Sequence, residues 1–435
     1  MSIDGKALLD DLRARGLIAQ ATADEELVQH LTGVCRTLYC GFDPTADSLH
    51  IGSLVPLLTL KRFQLAGHKP LALVGGATGL IGDPSFKAEE RKLNTPDIVA
   101  GWVDKLKAQV SGLIDFSGGE SAAEVVNNLD WIGSMDVLTF LRDIGKHFPV
   151  NQMIKKESVK QRIERDGDGI SFTEFSYMVL QSLDFSELYK GKQCTVQIGG
   201  SDQWGNITGG VELTRRRYGG QVYGLTLPLV TKSDGTKFGK TESGTIWLDA
   251  AKTSPYAFYQ FWLNSSDDDV YKFLRYFTFL SVEEIAQIEK DDKEAQGRPQ
   301  GQSILAEEVT RLVHGEEGLS AARRITDSLF SGVSADLSEA DFAQLSLDGL
   351  PSSQISDDEI TNSSLVQIFT NAGLAASGKQ IKDALGRGAV QINSLVMAVD
   401  DNMSVSKCFD KERSLYGRYF LAKLGKKKYH LFEKI

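Results

Sequence analysis

The sequence is poor in the features that mark secreted, membrane-spanning or nucleophile-driven proteins. Its four cysteines, Cys35, Cys40, Cys194 and Cys408, form no CxxC pair and show no metal-ligand spacing. That excludes a disulfide scaffold and predicts reduced thiols with no bound metal. No run of 18 apolar residues occurs, so no membrane span is expected. Met1–Arg15 has neither a basic leader nor an apolar core; it reads as a helix with Leu8, Leu9 and Leu12 on one face, not as a signal peptide. These absences predict a cytoplasmic protein. GxSxG, HExxH and the Walker A glycine–lysine loop are absent as well. Chemistry without a protein nucleophile remains, in which one substrate attacks another.

What is present is a chain of 435 residues with 41% hydrophobic content, enough for two to four domains with cores of their own. The net charge is −10, from 48 Lys and Arg against 58 Asp and Glu, which argues against a general nucleic-acid coat. The distribution says more than the sum. Ile325–Ile360 holds eight acidic residues and no Lys or Arg, whereas Lys411–Ile435 holds eight Lys or Arg against two Glu. An acidic linker followed by a basic, anion-seeking terminal module is the reading.

Strands are predicted at Arg36–Phe42, Lys69–Gly75, Glu124–Asn128, Gln193–Ile198 and Val222–Leu227, and helices at Leu49–Ala66, Pro96–Phe116 and Gln203–Tyr218. Strand and helix in alternation predict a doubly wound, Rossmann-like parallel sheet of the α/β class. From Thr253 to Phe330 the pattern is helical, and Ser363–Ile435 reads as a small α/β module. Ligands of open parallel sheets bind beyond the carboxyl ends of the strands. Three such ends combine glycine with polar residues: Tyr39–Thr45, Gly75–Asp83 and Gly199–Gln203. Glycine admits a ligand to the backbone, and the helix that follows offers free N–H groups to anions. The run LYCGFDPTADSLHIGS (38–53) ends at His50, which opens a helix, and TKFGKT (236–241) sets Lys237 and Lys240 in a Gly/Thr loop. Together they offer a phosphate site and a pair of cations, equipment for a nucleoside triphosphate at its α-phosphate.

These runs identify a family. LYCGFDPTADSLHIGS resembles the "HIGH" region of class I aminoacyl-tRNA synthetases, and KFGKT resembles their "KMSKS" loop. ALVGGATGLIGDPS (72–85), ISFTEFSYMVLQSLDF (170–185) and QIGGSDQWGNIT (197–208) are similar to the bacterial tyrosyl-tRNA synthetases. The resemblance implies attack of the tyrosine carboxylate on the α-phosphate of ATP, accompanied by Mg²⁺, then transfer of the acyl group to a ribose hydroxyl of tRNA. It implies that Thr45 and His50 contact the triphosphate, with Lys237, Lys240, Lys87 and Arg91 supplying positive charge. It implies Tyr39 and Asp184 as partners of the substrate phenol, Asp83, Tyr177 and Gln181 as partners of its ammonium group, and Gln203 near its carboxylate. Gly41, Asp43, Gly200 and Asp202 are implied to line the nucleotide. The motif departs from the family at Ser53, where a second histidine is usual; serine can hydrogen-bond ATP but carries no positive charge.

SGKQIKDALGRGAVQIN and the closing GRYFLAKLGKKKYHLF resemble a small RNA-binding module of a ribosomal protein, with Lys379, Lys382, Arg387, Arg413, Arg418 and Lys426–Lys428 as its phosphate contacts. The implied layout is a catalytic domain with a dimer-forming insertion (1–230), a mobile KFGKT lysine loop (231–248), a helical anticodon-region domain (249–325), the acidic linker (326–360) and the RNA-binding module (361–435). The implied partners are tyrosine, ATP, the tRNA for tyrosine and a second copy of the chain. A nucleotidyltransferase of the same fold, or a non-catalytic RNA-binding relative, would share part of this pattern. The first leaves the RNA-binding end and the Tyr177–Gln181–Asp184 set unexplained, and intact His50, Lys237 and Lys240 oppose the second.

Overall fold

A computed structural model describes residues 3–83, 94–156, 159–160, 163–164, 169–236, 238–241, 244–331, 336–403, 405–425 and 428–435. The chain forms two compact units, one from 1–241 with 266–301 and the other from 242–265 with 302–435.

The first unit is built on a sheet of β1 (Gln20–Ala21), β2 (Thr37–Phe42), β3 (Lys69–Val74), β4 (Glu124–Asn127), β5 (Cys194–Gly200) and β6 (Tyr223–Leu227), in the order β1-β6-β5-β2-β3-β4. β1 is antiparallel to β6 and the other pairs are parallel. From β2 the chain proceeds to β3 and β4 on one side, while β5 and β6 lie on the other. The order therefore reverses between β2 and β5, and a crevice opens at their carboxyl ends. Nearly every residue of β3 and β6 is buried, which is why these segments read as unbroken apolar runs. The helix Leu54–Leu65 is buried on most of its circumference, and even Arg62 is inside, donating to the carbonyl of Thr278. Ser171 caps the helix Phe172–Lys192 by accepting from Glu174 N, and Gln193 ends it in the left-handed region at φ 53°.

The helical region predicted at 249–325 is divided. Its helices Asp267–Phe277 and Val282–Glu294 belong to the first unit, because buried Arg15 and Arg62 donate to the carbonyls of Arg275, Thr278 and Leu280. Two arginines that read as surface charges in the sequence thus act as clamps on the end of a helix.

The second unit holds the helices Pro255–Leu263, Gly301–Ser331 (from Gln302 on) and Glu339–Gln344 with a second sheet. After the two-residue strands β7 (Lys240–Thr241) and β8 (Gly244–Thr245) come β9 (Ser352–Ile355), β10 (Val390–Ile392), β11 (Leu395–Val396), β12 (Tyr419–Leu424) and β13 (Lys428–Lys434). The order of this sheet is β11-β10-β12-β13-β9. The stretch predicted as an acidic linker is folded into this unit. β9 pairs in parallel with β13, and Leu337, Phe342 and Leu345 share a core with Tyr419, Leu421 and Leu431. Asp341, fully buried, accepts two bonds from Arg324 at 2.8 and 2.7 Å. Two further acids pair with basic residues of the terminal module, Glu339 with Arg418 and Asp357 with Lys434. Charge counting along the chain could not show these pairs, because the cations lie elsewhere in sequence.

Candidate active site

The crevice at the carboxyl ends of β2 and β5 is a cavity of about 650 Å³ within the first unit, lined by all three predicted glycine-bearing strand ends. Tyr39 stands on β2 in register with Gln197 of β5, and both are buried. The Tyr39 hydroxyl and Gln197 Oε1 have no hydrogen-bond partner among the described residues. Tyr177, Gln181 and Asp184 follow at i, i+4 and i+7 on the helix Phe172–Lys192, so one helical face presents all three to the cavity. Asp184 is almost fully buried and accepts from Trp131 Nε1 at 2.9 Å and from Asn128 Nδ2 at 3.1 Å. Burial pushes its carboxyl up to about 8, and those two donors hold the rise in check. The same burial, with Asp184 beside it, lifts the Tyr39 phenol well above its ordinary value, so it stays protonated.

Asn128 and Trp131 were missed in the sequence. Asn128 also donates to Thr78 Oγ1 at 3.0 Å and accepts from Ala77 N at 2.8 Å, tying Asp184 to the Gly75–Gly79 turn. The signal was available: NNLDW follows the end of β4, a fourth strand end of the same sheet.

Toward the mouth, the polar residues bond one another. Asp43 accepts from Thr78 Oγ1 at 2.6 Å and from the Tyr177 hydroxyl at 2.7 Å. A side chain at Gly75 would overlap both Asp43 and Thr78, which accounts for the glycine. Gln203 Nε2 donates to Asp83 at 2.9 Å and to Asp202 at 3.0 Å, while Asn206 Nδ2 joins Gln181 (2.7 Å) to Gln203 (3.1 Å). Burial raises the Asp202 carboxyl, opposed by the Gln203 bond. His50 is exposed and precedes the short helical turn Ile51–Ser53, its Nδ1 accepting from Gly52 N at 3.0 Å. In the neutral ring that bond puts the proton on Nε2, leaving an N–H that can serve as an anion donor. Exposed Thr45 and half-buried Ser53 also line the cavity, and Ser53 makes no capping bond. Phe238 and Gly239 bring the lysine loop to this mouth, where a side chain at Gly239 would overlap Ile51. The cavity thus joins the buried hydrogen-bonding groups of Tyr39, Asp184 and Gln197 to the polar side chains of Asp43, Asp83, Asp202 and Gln203, beside a helix start.

Comparison with known proteins agrees. The profile of the tRNA synthetases class I (W and Y) matches residues 35–331, and that of the tyrosine–tRNA ligase SYY-like C-terminal domain matches residues 341–432. The chain belongs to the class I tRNA synthetases of the W and Y group. It is 67% identical over 425 residues to a tyrosine–tRNA ligase of Aliivibrio fischeri, covering 98% of both chains. It is 61% identical over 427 residues to that of Chromobacterium violaceum, covering 98% of this chain and 99% of the relative. Among solved structures it is similar to a C-terminally truncated mitochondrial tyrosyl-tRNA synthetase of Aspergillus nidulans, with 31% identity and a TM-score of 0.67. That match covers 75% of this chain and 94% of the other. A like structure from Coccidioides posadasii gives 27% identity and a TM-score of 0.64, covering 73% and 91%.

For this class I synthetase, the fold brings Tyr39, Gly41, Asp43, Thr45, His50, Ser53, Asp83, Tyr177, Gln181, Asp184, Gly200, Asp202 and Gln203 around one cavity. Lys87, Arg91 and Lys237 lie outside the described residues, and Lys240 contributes its backbone to β7. In the second unit Lys379 and Lys382 are exposed on the helix Gly378–Gly386, with Arg387 at its end, and Arg413 and Lys428 are exposed too. Lys426 and Lys427 lie outside the described residues. Arg418 pairs with Glu339 and Glu433, each at 3.1 Å, and lies over the Tyr419 ring.

Proposed function

We propose that this enzyme ligates L-tyrosine to its tRNA through tyrosyl-adenylate, and that the floor of the cavity selects the amino acid. The observation that carries this is the buried pair of Tyr39, whose hydroxyl has no partner among the described residues, and Asp184, aimed by Asn128 and Trp131. A substrate phenol there accepts from Tyr39 and donates to Asp184. Phenylalanine would leave the Tyr39 hydroxyl buried and unpaired, at about 1–3 kcal/mol, and would leave Asp184 with only its bonds from Asn128 and Trp131. Above the phenol, Asp83, Tyr177 and Gln181 receive the ammonium group, and Gln203 lies toward the carboxylate. One carboxylate oxygen then attacks the α-phosphorus of ATP in line; the bond to the bridging oxygen breaks and pyrophosphate leaves with its electron pair.

Catalysis is positioning and charge stabilisation. His50 Nε2–H, Thr45 and the loop lysines Lys237 and Lys240 serve the phosphates, with Lys87 and Arg91 adding positive charge, while Gly41, Asp43, Ser53, Gly200 and Asp202 border the nucleotide. Among the described residues no group of three or more His, Cys, Asp or Glu could hold a metal. Mg²⁺ would accompany ATP on its phosphates, as that ion commonly does. Exposed Lys379, Lys382, Arg387, Arg413 and Lys428 favour RNA phosphates on the second unit.

The enzyme works as a homodimer in the cytoplasm. Val137, Leu138, Leu141, Val150, Ile154 and Phe172 are exposed between positions 137 and 172 of the first unit, apolar side chains that a second copy could cover. No helix among the described residues is long and apolar enough to cross a membrane. The test is tyrosine-dependent exchange of pyrophosphate into ATP. Exchange that proceeds as well with phenylalanine, or not at all, removes the reading.

A further inference from the structure

One helix grips the lysine loop from both sides of position 237. Asp269, in the first turn of the helix Asp267–Phe277, is 2% exposed. Its carboxylate accepts from Ser233 N at 3.1 and 3.0 Å and from Ser233 Oγ at 3.0 Å. Lys272, one turn on, donates to Asp269 at 2.8 Å and to the carbonyl of Thr231 at 2.8 Å. Further along the same helix, Phe273 and Phe277 hold the Phe238 ring at centroid distances of 5.2 and 5.3 Å. Between these anchors Asp234 accepts from Thr236 N and Oγ1, and Gly235 at φ 78° completes a tight turn. Beyond them Gly239 rests on Ile51, next to His50.

A surface loop carrying cations needs none of this to stay soluble. A nearly buried carboxylate bonded to the loop at Ser233, with an aromatic clamp on Phe238, holds the described part of the loop beside the cavity. We infer that Asp269 is a positioning residue for adenylate formation: through Ser233, and together with the Phe238 clamp, it sets the loop from which Lys237 and Lys240 act. The inference rests on the proposed reaction, and it adds that the transition-state contacts are placed by a helix that touches neither substrate.

Positioned groups are sensitive: a displacement of about 1 Å costs about 10²-fold in rate. Single-turnover formation of tyrosyl-adenylate, with active sites titrated, should slow by about ten- to a hundred-fold in Asp269→Ala. Tyrosine affinity by equilibrium dialysis should hold steady. Asp269→Asn keeps an acceptor for Ser233 and should recover much of the rate. Phe238→Ala, which removes the ring from its clamp without touching Asp269, should give the same signature and serves if Asp269→Ala does not fold. An unchanged rate per titrated site, in whichever variant folds, overturns the inference; so does an equal loss of tyrosine binding, which would mark a general fold defect. Failure of the unaltered chain to form adenylate would instead refute the proposed reaction.

Discussion

Trp131→Phe is the sharpest probe of the cavity floor. The indole N–H donates to Asp184 Oδ1 at 2.9 Å, and Asn128 occupies Oδ2 at 3.1 Å. Burial lifts Asp184 from 3.8 to about 8, so around neutrality the carboxyl keeps its proton in a substantial fraction of molecules. The phenol of tyrosine binds best to the ionised form, a charge-assisted acceptor. Affinity for tyrosine should therefore rise with pH as Asp184 ionises. Removing a hydrogen bond to a charged group costs about 1.5–3 kcal/mol. At about 1.36 kcal/mol per unit, that lifts Asp184 by a further one to two units, roughly. At neutral pH the variant should then bind tyrosine about ten- to a hundred-fold more weakly, with the gap narrowing toward alkaline pH. Stability must follow the same proton. The folded state keeps a proton that the unfolded chain releases between 3.8 and about 8, so stability falls as pH rises through that window. In Trp131→Phe the fall should extend to higher pH. Titration calorimetry with tyrosine at several pH values, and urea denaturation over the same range, provide the readings. A gap of equal size at every pH would mean that Trp131 only packs, and no gap would remove Asp184 from the phenol site.

Four further outcomes are expected. Lys240→Ala and Lys237→Ala should each slow adenylate formation while leaving tyrosine affinity nearly unchanged, as measured by single-turnover kinetics and dialysis; weakened tyrosine binding at an unaltered rate would refute their role. Ser53→His should keep the thermal midpoint and lower the KM for ATP in pyrophosphate exchange, since Ser53 caps nothing and borders the cavity; a large loss of stability would show a packed position. A chain ending at Ile360 should lose the cooperative unfolding of the second unit, because Tyr419, Leu421 and Leu431 leave the core around Phe342. It should still form adenylate and should charge tRNA poorly; equal loss of both half-reactions would contradict that division. Val137→Glu with Leu138→Glu should shift the mass measured by light scattering from dimer to monomer, and an unshifted mass would clear that surface.

The parallel sheet and the glycine-bearing strand ends were legible because each is a local pattern: an apolar run, then glycine and a polar residue, then a helix start. Asp184 was found through resemblance, whereas its partners Asn128 and Trp131 were not. Asn128 reads only as the end of the strand Glu124–Asn128, and only the pairing of β4 with β3 brings it beside the Gly75–Gly79 turn. The acidic stretch misled for a similar reason. Asp341 is neutralised by Arg324, 17 residues away, and Ser352–Ile355 has no apolar period of its own; it becomes β9 because β13 offers an edge. The helical region was divided by Arg15 and Arg62, residues whose composition says surface and whose burial says clamp. In each case a pairing between distant residues decided the outcome, and such pairings leave no spacing to read.

The distribution of hydrogen bonds in the cavity argues for where selectivity resides. Near the mouth, Asp43 is bonded to Tyr177 and Thr78, Asp83 and Asp202 to Gln203, and Gln181 to Asn206. A ligand ammonium or ribose that reaches these groups exchanges protein bonds for its own, and such exchanges contribute little net free energy. At the floor neither the Tyr39 hydroxyl nor Oε1 of Gln197, its register partner, has a partner to surrender among the described residues. A bond formed there is a gain rather than an exchange, and a ligand unable to form it leaves the desolvation cost standing. Under the proposed reading, discrimination is concentrated on the far end of the substrate ring, the one place where tyrosine and phenylalanine differ. The mouth can then adapt to the changing charge of the reaction without loosening the choice of amino acid.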